Sequence, residues 1–256
     1  MEANLLLESY LKQLHLPGFL RSYGSFATDA AHNNEDHVRY LLALAEQEVR
    51  QREQNIQRER IKQARFPALK ELADFDFSAV PTLNKAYVLD LTRGDYIARH
   101  EPVILIGNPG LGKTHLALGL ALAACRQRRR VRFWTAAGLI NELQQAQDEH
   151  RLNRFSAAAL KLDLLVLDEL GFIPFSPAAA QLLFTFYSEL HERVAVIVTS
   201  NLKFADWIQV FGQERLTAAL LDRLTQKAHI LELIGESYRF RQRLQMDARQ
   251  PTNPEG

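Results

Sequence analysis

One octapeptide, Gly107-Asn108-Pro109-Gly110-Leu111-Gly112-Lys113-Thr114, restricts the possible fold more than any other stretch of this chain. It satisfies the Gly-x4-Gly-Lys-Ser/Thr pattern at every required position, follows the apolar run 103–106 and opens a helical pattern at 115–124. Glycines in such a loop let backbone N–H groups turn toward a polyphosphate, and the helix behind it adds the partial positive charge of its N-terminus. The motif therefore implies a bound nucleoside triphosphate. Nucleotide contacts are expected from Gly107, Asn108, Pro109, Gly110, Leu111, Gly112, Lys113, Thr114 and His115. Lys113 is expected to reach the β- and γ-phosphates, and the Thr114 hydroxyl to hold Mg²⁺.

The sequence changes character near residue 70. Before it the pattern is helical and carries no strand signal. Residues 4–15 place Leu5, Leu6, Leu11 and Leu14 roughly on one face, and Leu16-Pro17-Gly18 interrupts the helix. A second, long helix is expected over 35–65. Val38, Leu42, Ala45 and Val49 stand at helical spacing in its first half and are expected to pack on a partner surface. Its second half is almost wholly polar, with the pairs Glu46–Arg50 and Glu48–Arg52 four residues apart. At about 1.5 Å per residue this helix extends some 46 Å. Pro67 ends it, and a linker leads to a further helix expected over 83–99.

Beyond that point strands and helices alternate. The runs 103–106, 131–135, 164–167, 194–199 and 229–233 are short and nearly continuous in apolar residues, as strands buried on both faces should be. The expected fold is α/β, a five-stranded parallel sheet flanked by helices. The division expected is a helical domain or arm at 1–66, a nucleotide-binding domain at 67–245 and a disordered tail at 246–256.

Further along, Leu164-Leu165-Val166-Leu167 runs into Asp168-Glu169. Open α/β sheets bind ligands at the C-terminal ends of their strands, so Asp168 is expected to hold Mg²⁺ and Glu169 to orient and deprotonate an attacking water. The pair favours hydrolysis over transfer to an acceptor. The run 194–199 ends in Ser200-Asn201, and the Asn201 amide is a candidate to bond both the γ-phosphate and the water. Arg223, in Leu220-Leu221-Asp222-Arg223-Leu224, could project from a subunit surface toward a neighbour's phosphate. Arg239, in Gly235-Glu236-Ser237-Tyr238-Arg239, follows the last strand, with Arg241 and Arg243 as competitors for its role.

In this order and at these intervals the motifs resemble an AAA+ ATPase. Gly-Lys-Thr-His-Leu-Ala (112–117), Leu-Asp-Glu-Leu-Gly-Phe (167–172) and Gly-Glu-Ser-Tyr-Arg (235–239) resemble the IstB-like group, ATP-binding helpers encoded beside the transposase of certain bacterial insertion sequences. That group is related to DnaC-type helicase loaders. The resemblance covers residues 5 to 245 and implies a self-assembling ATPase whose site lies between subunits. Lys113, Thr114, Asp168, Glu169 and Asn201 would come from one copy and Arg223 from the next, with Arg239 as the arginine of a helical lid. Only about 20 residues follow the last strand, which makes that lid short. The partners implied are duplex DNA, a transposase and further copies of the chain.

The formal net charge is +1, so any DNA contact must come from local patches. Three segments qualify. One is the run 126–132, with five arginines that include Arg128, Arg129 and Arg130, ahead of a strand and opposite the nucleotide. Another holds Arg151, Arg154 and Lys161, in the interval where helicase loaders and replication initiators carry a channel-lining helix. The third is the N-terminal arm, with Arg58, Arg60, Lys62 and Arg65. No aromatic residues interleave these patches as a single-strand platform requires, which favours backbone contact with duplex DNA. The one cysteine, Cys125, reads as a small core residue. No secretory signal or membrane-length apolar run is found, so a cytoplasmic protein is expected. A helicase loader and a small-molecule kinase are the competing readings.

Overall fold

The structure is a computed structural model that describes residues 2–235, 237 and 238. The expected tail and Arg239 lie outside the described residues. The chain divides into two compact units between Glu59 and Arg60.

The first unit is helical: α1 (Glu2–Gln13), α2 (Pro17–His32) and most of α3 (His37–Ala64). Pro17 occupies the first turn of α2, where its missing N–H costs nothing. Asp36 caps α3 by accepting from the Arg39 N–H at 2.8 Å. Within the first unit, the face of α3 that packs is a different one from the apolar stripe expected to meet a partner surface. Val38, Leu42 and Val49 are 76 %, 56 % and 55 % exposed, whereas Leu44 and Glu48 are buried. Glu48 dictates this choice. Its carboxylate accepts from the Gly18 N–H at 2.6 Å and from Arg52 Nε at 2.7 Å, so it answers an otherwise unpaired donor in the first turn of α2. Arg52 then donates to the His15 carbonyl at 2.7 Å. A Cβ on Gly18 would stand 2.5 Å from Glu48 Oε2, so only glycine admits the carboxylate this close.

In the second unit the chain passes through two short 3-10 turns, Leu72–Asp74 and Phe77–Ala79, into α4 (Lys85–Leu91) and α5 (Asp95–Ala98). The single helix expected over 83–99 is thus two, broken where Gly94 takes a left-handed conformation at φ 81°. Then follow β1 (Val103–Gly107), α6 (Lys113–Arg126), β2 (Val131–Thr135), α7 (Ala136–Asp148), α8 (Leu152–Ala159) and β3 (Leu164–Leu170). The series ends with α9 (Pro177–Leu190), β4 (Ala195–Ser200), α10 (Ile208–Phe211), α11 (Glu214–Thr225) and β5 (His229–Leu233).

All five strands run parallel in the order β2-β3-β4-β1-β5. Alternate residues feed two separate cores. Val103, Leu105, Val166 and Ile197 join the α6 side, and Ile104, Ile106, Leu165 and Val196 join the side of α7, α9 and α11. This two-sided burial is why the strands read as unbroken apolar runs. Each fully buried Leu, Ile or Val contributes about 1.5–3 kcal/mol. Cys125 is buried on α6, and burial pushes its thiol up to about 12, so it is an inert core residue. Among the described residues no helix is long and apolar enough to cross a membrane.

The Glu48 anchor has a signed pH dependence. Burial works to raise its carboxyl, but the bonds from Arg52 and the Gly18 N–H prevail and hold it below the ordinary 4.5. Its stabilisation is therefore fully present above about pH 4.5 and is lost as pH falls through the lower folded-state value. Glu48→Gln should cost about 1–2 kcal/mol at neutral pH. Urea unfolding followed by far-UV circular dichroism at pH 7 and pH 4 checks this: the variant should lose less than the parent between the two.

Candidate nucleotide site

The sheet order puts β1 and β4 at the centre, so the loop after β1 rises between the ends of β4 and β5. This loop, residues 108–112, leads directly into α6. Gly112 sits at φ 87°, and a Cβ there would lie 2.6 Å from the ring of Phe75. Positive φ and this close approach together require glycine. Lys113 is 7 % exposed and folds back over its own loop, its ammonium donating to the Gly107 carbonyl at 2.6 Å and the Asn108 carbonyl at 2.9 Å. The loop is braced from both sides in sequence. Phase-setting contacts come from the linker, where Phe75 meets His115 edge-on at 5.5 Å and Glu71 offers its carbonyl to His115 Nε2 at 2.7 Å. After β5, the Tyr238 N–H donates to the Gly110 carbonyl at 3.1 Å. His115, expected among the nucleotide contacts, is thus turned toward the linker.

Beside the loop, β3 is irregular. Leu167 pairs with Val198 and Leu170 with Ser200, so two residues, Asp168 and Glu169, oppose the single Thr199. This is a β-bulge, with Glu169 left-handed at φ 60°. Glu169 spends its N–H on the Thr199 hydroxyl at 2.9 Å, and that hydroxyl donates to Asp168 Oδ1 at 2.5 Å. From the other side Thr114 Oγ1 lies 2.9 and 3.1 Å from the two Asp168 oxygens. Asp168 is 3 % exposed, while Glu169 is exposed and lines a cavity of about 230 Å³ with Thr135, Phe172, Ile173 and Phe175. One carboxylate is locked and the other stands free to meet a ligand.

A hydroxyl and a carboxylate are hard oxygen donors of the kind Mg²⁺ takes, completed by water and phosphate oxygens. Thr114 and Asp168 fit that ion. Among the described residues no group of three His, Cys, Asp or Glu side chains forms a self-sufficient metal cage.

The geometry agrees with comparisons to known proteins. The family model for IstB-like ATP-binding proteins matches residues 9–246. The chain belongs to the IstB-like ATP-binding family. The ATP-binding protein of insertion sequence IS21 from Pseudomonas aeruginosa is 36 % identical over 237 residues, covering 93 % of this chain and 89 % of that one. That of IS5376 from Geobacillus stearothermophilus is 31 % identical over 244 residues, covering 95 % and 97 %. In fold the chain is similar to the DnaC helicase loader, with a TM-score of 0.50 and 21 % identity over 58 % of this chain and 87 % of that one. It is also similar to the replication initiator DnaA bound to AMPPCP and single-stranded DNA, with a TM-score of 0.53 and 19 % identity over 71 % and 56 %. The fold is that of an AAA+ protein.

The remaining residues singled out in this IstB-like chain fall as follows. Asn201 is half-buried just past β4, whose last residue, Ser200, pairs with Ile106 of β1 and Leu170 of β3. It thereby emerges between the bulge and the phosphate loop. Arg223 is half-buried on α11, where Nη1 donates to Ser188 Oγ at 2.9 Å and the guanidinium lies 4.8 Å from the Phe184 ring. Both partners are on α9, so in the single chain this arginine rests against its own subunit. Arg151 pairs with Glu149 in the turn between α7 and α8. Arg154 and Lys161 are exposed on and just after α8. Arg128, Arg129 and Arg130 lie in the α6–β2 turn, at the sheet end opposite the phosphate loop, and Arg130 bonds Asp163. Arg239 lies outside the described residues.

Thr199 was missed as a site residue, although the sequence held one signal: it is the first polar side chain after four apolar ones in β4, aligned with the Asp168 strand. Thr199→Val should leave the Glu169 N–H and Asp168 Oδ1 without their shared partner. Hydrolysis should fall roughly 10–100-fold with ATP binding largely kept, while Thr199→Ser stays near the parent. Steady-state phosphate release alongside nucleotide-binding titrations separates the two effects.

Proposed function

We propose that this chain is an ATP-hydrolysing AAA+ helper of DNA transposition. With ATP it assembles with copies of itself on duplex DNA and engages a transposase, and hydrolysis takes the assembly apart. The observation that carries the reading is the bulge in which Thr199 joins Asp168 to Glu169 while Thr114 meets Asp168 from the phosphate loop. Full-length similarity to proteins named as ATP-binding proteins of insertion sequences supports the setting. The work is assigned to the cytoplasm.

In this reading Lys113 exchanges the carbonyls of Gly107 and Asn108 for β- and γ-phosphate oxygens, a charge-assisted and stronger partnership. Thr114 and Asp168 would hold Mg²⁺, which would supply neutralisation of phosphate charge. Glu169, exposed beside Asp168, accepts the proton of the attacking water, and the Asn201 amide orients that water against the γ-phosphate. Arg223 of a neighbouring copy stabilises charge on the transferred phosphoryl group. The resemblance assigns Arg239 the lid-arginine role. Arg151, Arg154, Lys161, Arg128, Arg129 and Arg130 are the candidate contacts to the DNA backbone.

Glu169→Gln removes the base while keeping the shape. It should bind ATP, hydrolyse at least ~100-fold more slowly and remain assembled on duplex DNA. Light scattering with ATP and duplex would contradict the coupling if that variant stayed monomeric. Arg223→Ala should retain nucleotide and lose turnover by a factor on the order of 10³; unchanged phosphate release would remove it from the site. Binding to duplex and single strands of equal length, with and without ATP, tests the DNA assignment. A clear single-strand preference would favour a helicase loader instead.

A further inference from the structure

Two basic segments nearly 70 residues apart meet at one corner of the second unit. The last turn of α3 touches the turn between α6 and β2: Arg60 Nε donates to the Arg128 carbonyl at 3.2 Å. One strand residue further, Arg132 Nη1 donates to the Gln63 carbonyl at 3.4 Å. Burial, with the nearby charge of Arg65, holds the Arg132 guanidinium below its ordinary value, as expected where cations crowd. Arg65 and Arg128 are exposed, and Arg60 and Arg129 are half-buried. Carboxylates stand among these arginines as well: Glu71 pairs with Arg126 at 2.5 Å, Asp163 with Arg130 at 3.3 Å and Glu142 with Arg132 at 3.9 Å, and Glu59 adjoins Arg60 in the chain. In a chain whose formal net charge is only +1, this is a local concentration of positive charge built from sequence-distant parts.

We propose that this corner, formed by Arg60, Arg65, Arg128 and Arg129, is a binding surface for the phosphate backbone of duplex DNA. It deepens the DNA-binding reading above and rests on it, joining two of the candidate patches, the arginine run after α6 and the end of the N-terminal arm, into one surface. Guanidinium groups present rigid donor forks that match phosphate oxygens. The aromatic rings nearby are not offered to bases. Trp134 is buried under Arg132, and Phe66 packs against the core. Stacking on unpaired bases has no platform here, so the surface suits a sequence-independent grip on a duplex. Its place at the sheet end opposite the phosphate loop leaves the nucleotide face available to a neighbouring copy.

The test is binding of the full chain to a fluorescein-labelled duplex of arbitrary sequence, by anisotropy across a salt series with ATP present. Arg60→Gln with Arg65→Gln, and separately Arg128→Gln with Arg129→Gln, should each lower the slope of log K against log salt by about 2. Each pair should weaken binding roughly 10-fold or more near 0.1 M salt, equally for unrelated sequences. Because Arg60 also bonds the chain at Arg128, Arg60→Lys with Arg65→Lys serves as a second variant; it should keep most of the slope, since the charges remain. Wild-type affinity and slope in both glutamine pairs, with intact helical circular dichroism, would overturn this surface while leaving DNA binding standing. If the parent chain itself shows no salt-dependent duplex binding, the DNA-binding reading fails and the surface with it.

Discussion

The hydroxyl of Thr199 is in contact with both halves of the chemistry at once. It gives its proton to Asp168 and takes the N–H of Glu169, so the position of one carboxylate is set by the same atom that shapes the backbone of the other. A regular strand would send these adjacent side chains to opposite faces of the sheet. The bulge breaks that alternation, and its left-handed residue stays in place because its N–H is bonded. Thr114 then closes the circuit from α6, tying the phosphate loop to the sheet through Asp168. The rest of the site is arranged around that circuit, with Lys113 on its own loop and Asn201 one residue beyond β4.

Much of this was legible in the sequence because two-sided burial leaves a plain trace. All five strands were read within three residues of their observed ends, since β-branched and leucine-rich runs admit few other readings at that length. The phosphate loop and Asp168-Glu169 announced themselves by residue type and order. What escaped depends on contacts between distant parts. Glu48 looks like a surface ion-pair residue, and its pairing with Arg52 is present, but nothing local says that its other oxygen meets the start of α2. The apolar stripe of Val38, Leu42 and Val49 lies exposed in the single chain, while the face that packs within the unit holds Leu44 and the buried Glu48, which periodicity alone does not single out. Gly94 splitting one expected helix into two is a case of local backbone freedom that the apolar pattern conceals.

Arg223 shows a different limit. Its sequence setting points outward, yet its guanidinium is shared between a hydroxyl and an aromatic face on α9. A hydrogen bond and an exposed cation–π contact are together worth about 1–2.5 kcal/mol. On the proposed reading, that is small beside the pull of a neighbouring copy's phosphoryl group in a water-poor interface. The contacts hold the arginine in one orientation without trapping it, and they link its position to α9, which packs against the helix that follows β2.

The sheet is open, and β2 forms one of its edges. An unpaired parallel edge is a template on which any extended segment can add a strand. Here the edge strand is short, carries Arg132 as its second residue and is entered through three consecutive arginines. A strand approaching from outside would have to bring its own backbone past the guanidinium groups of that turn and strip their hydration. The arginines at this border thus guard an open sheet edge against strand addition by another chain.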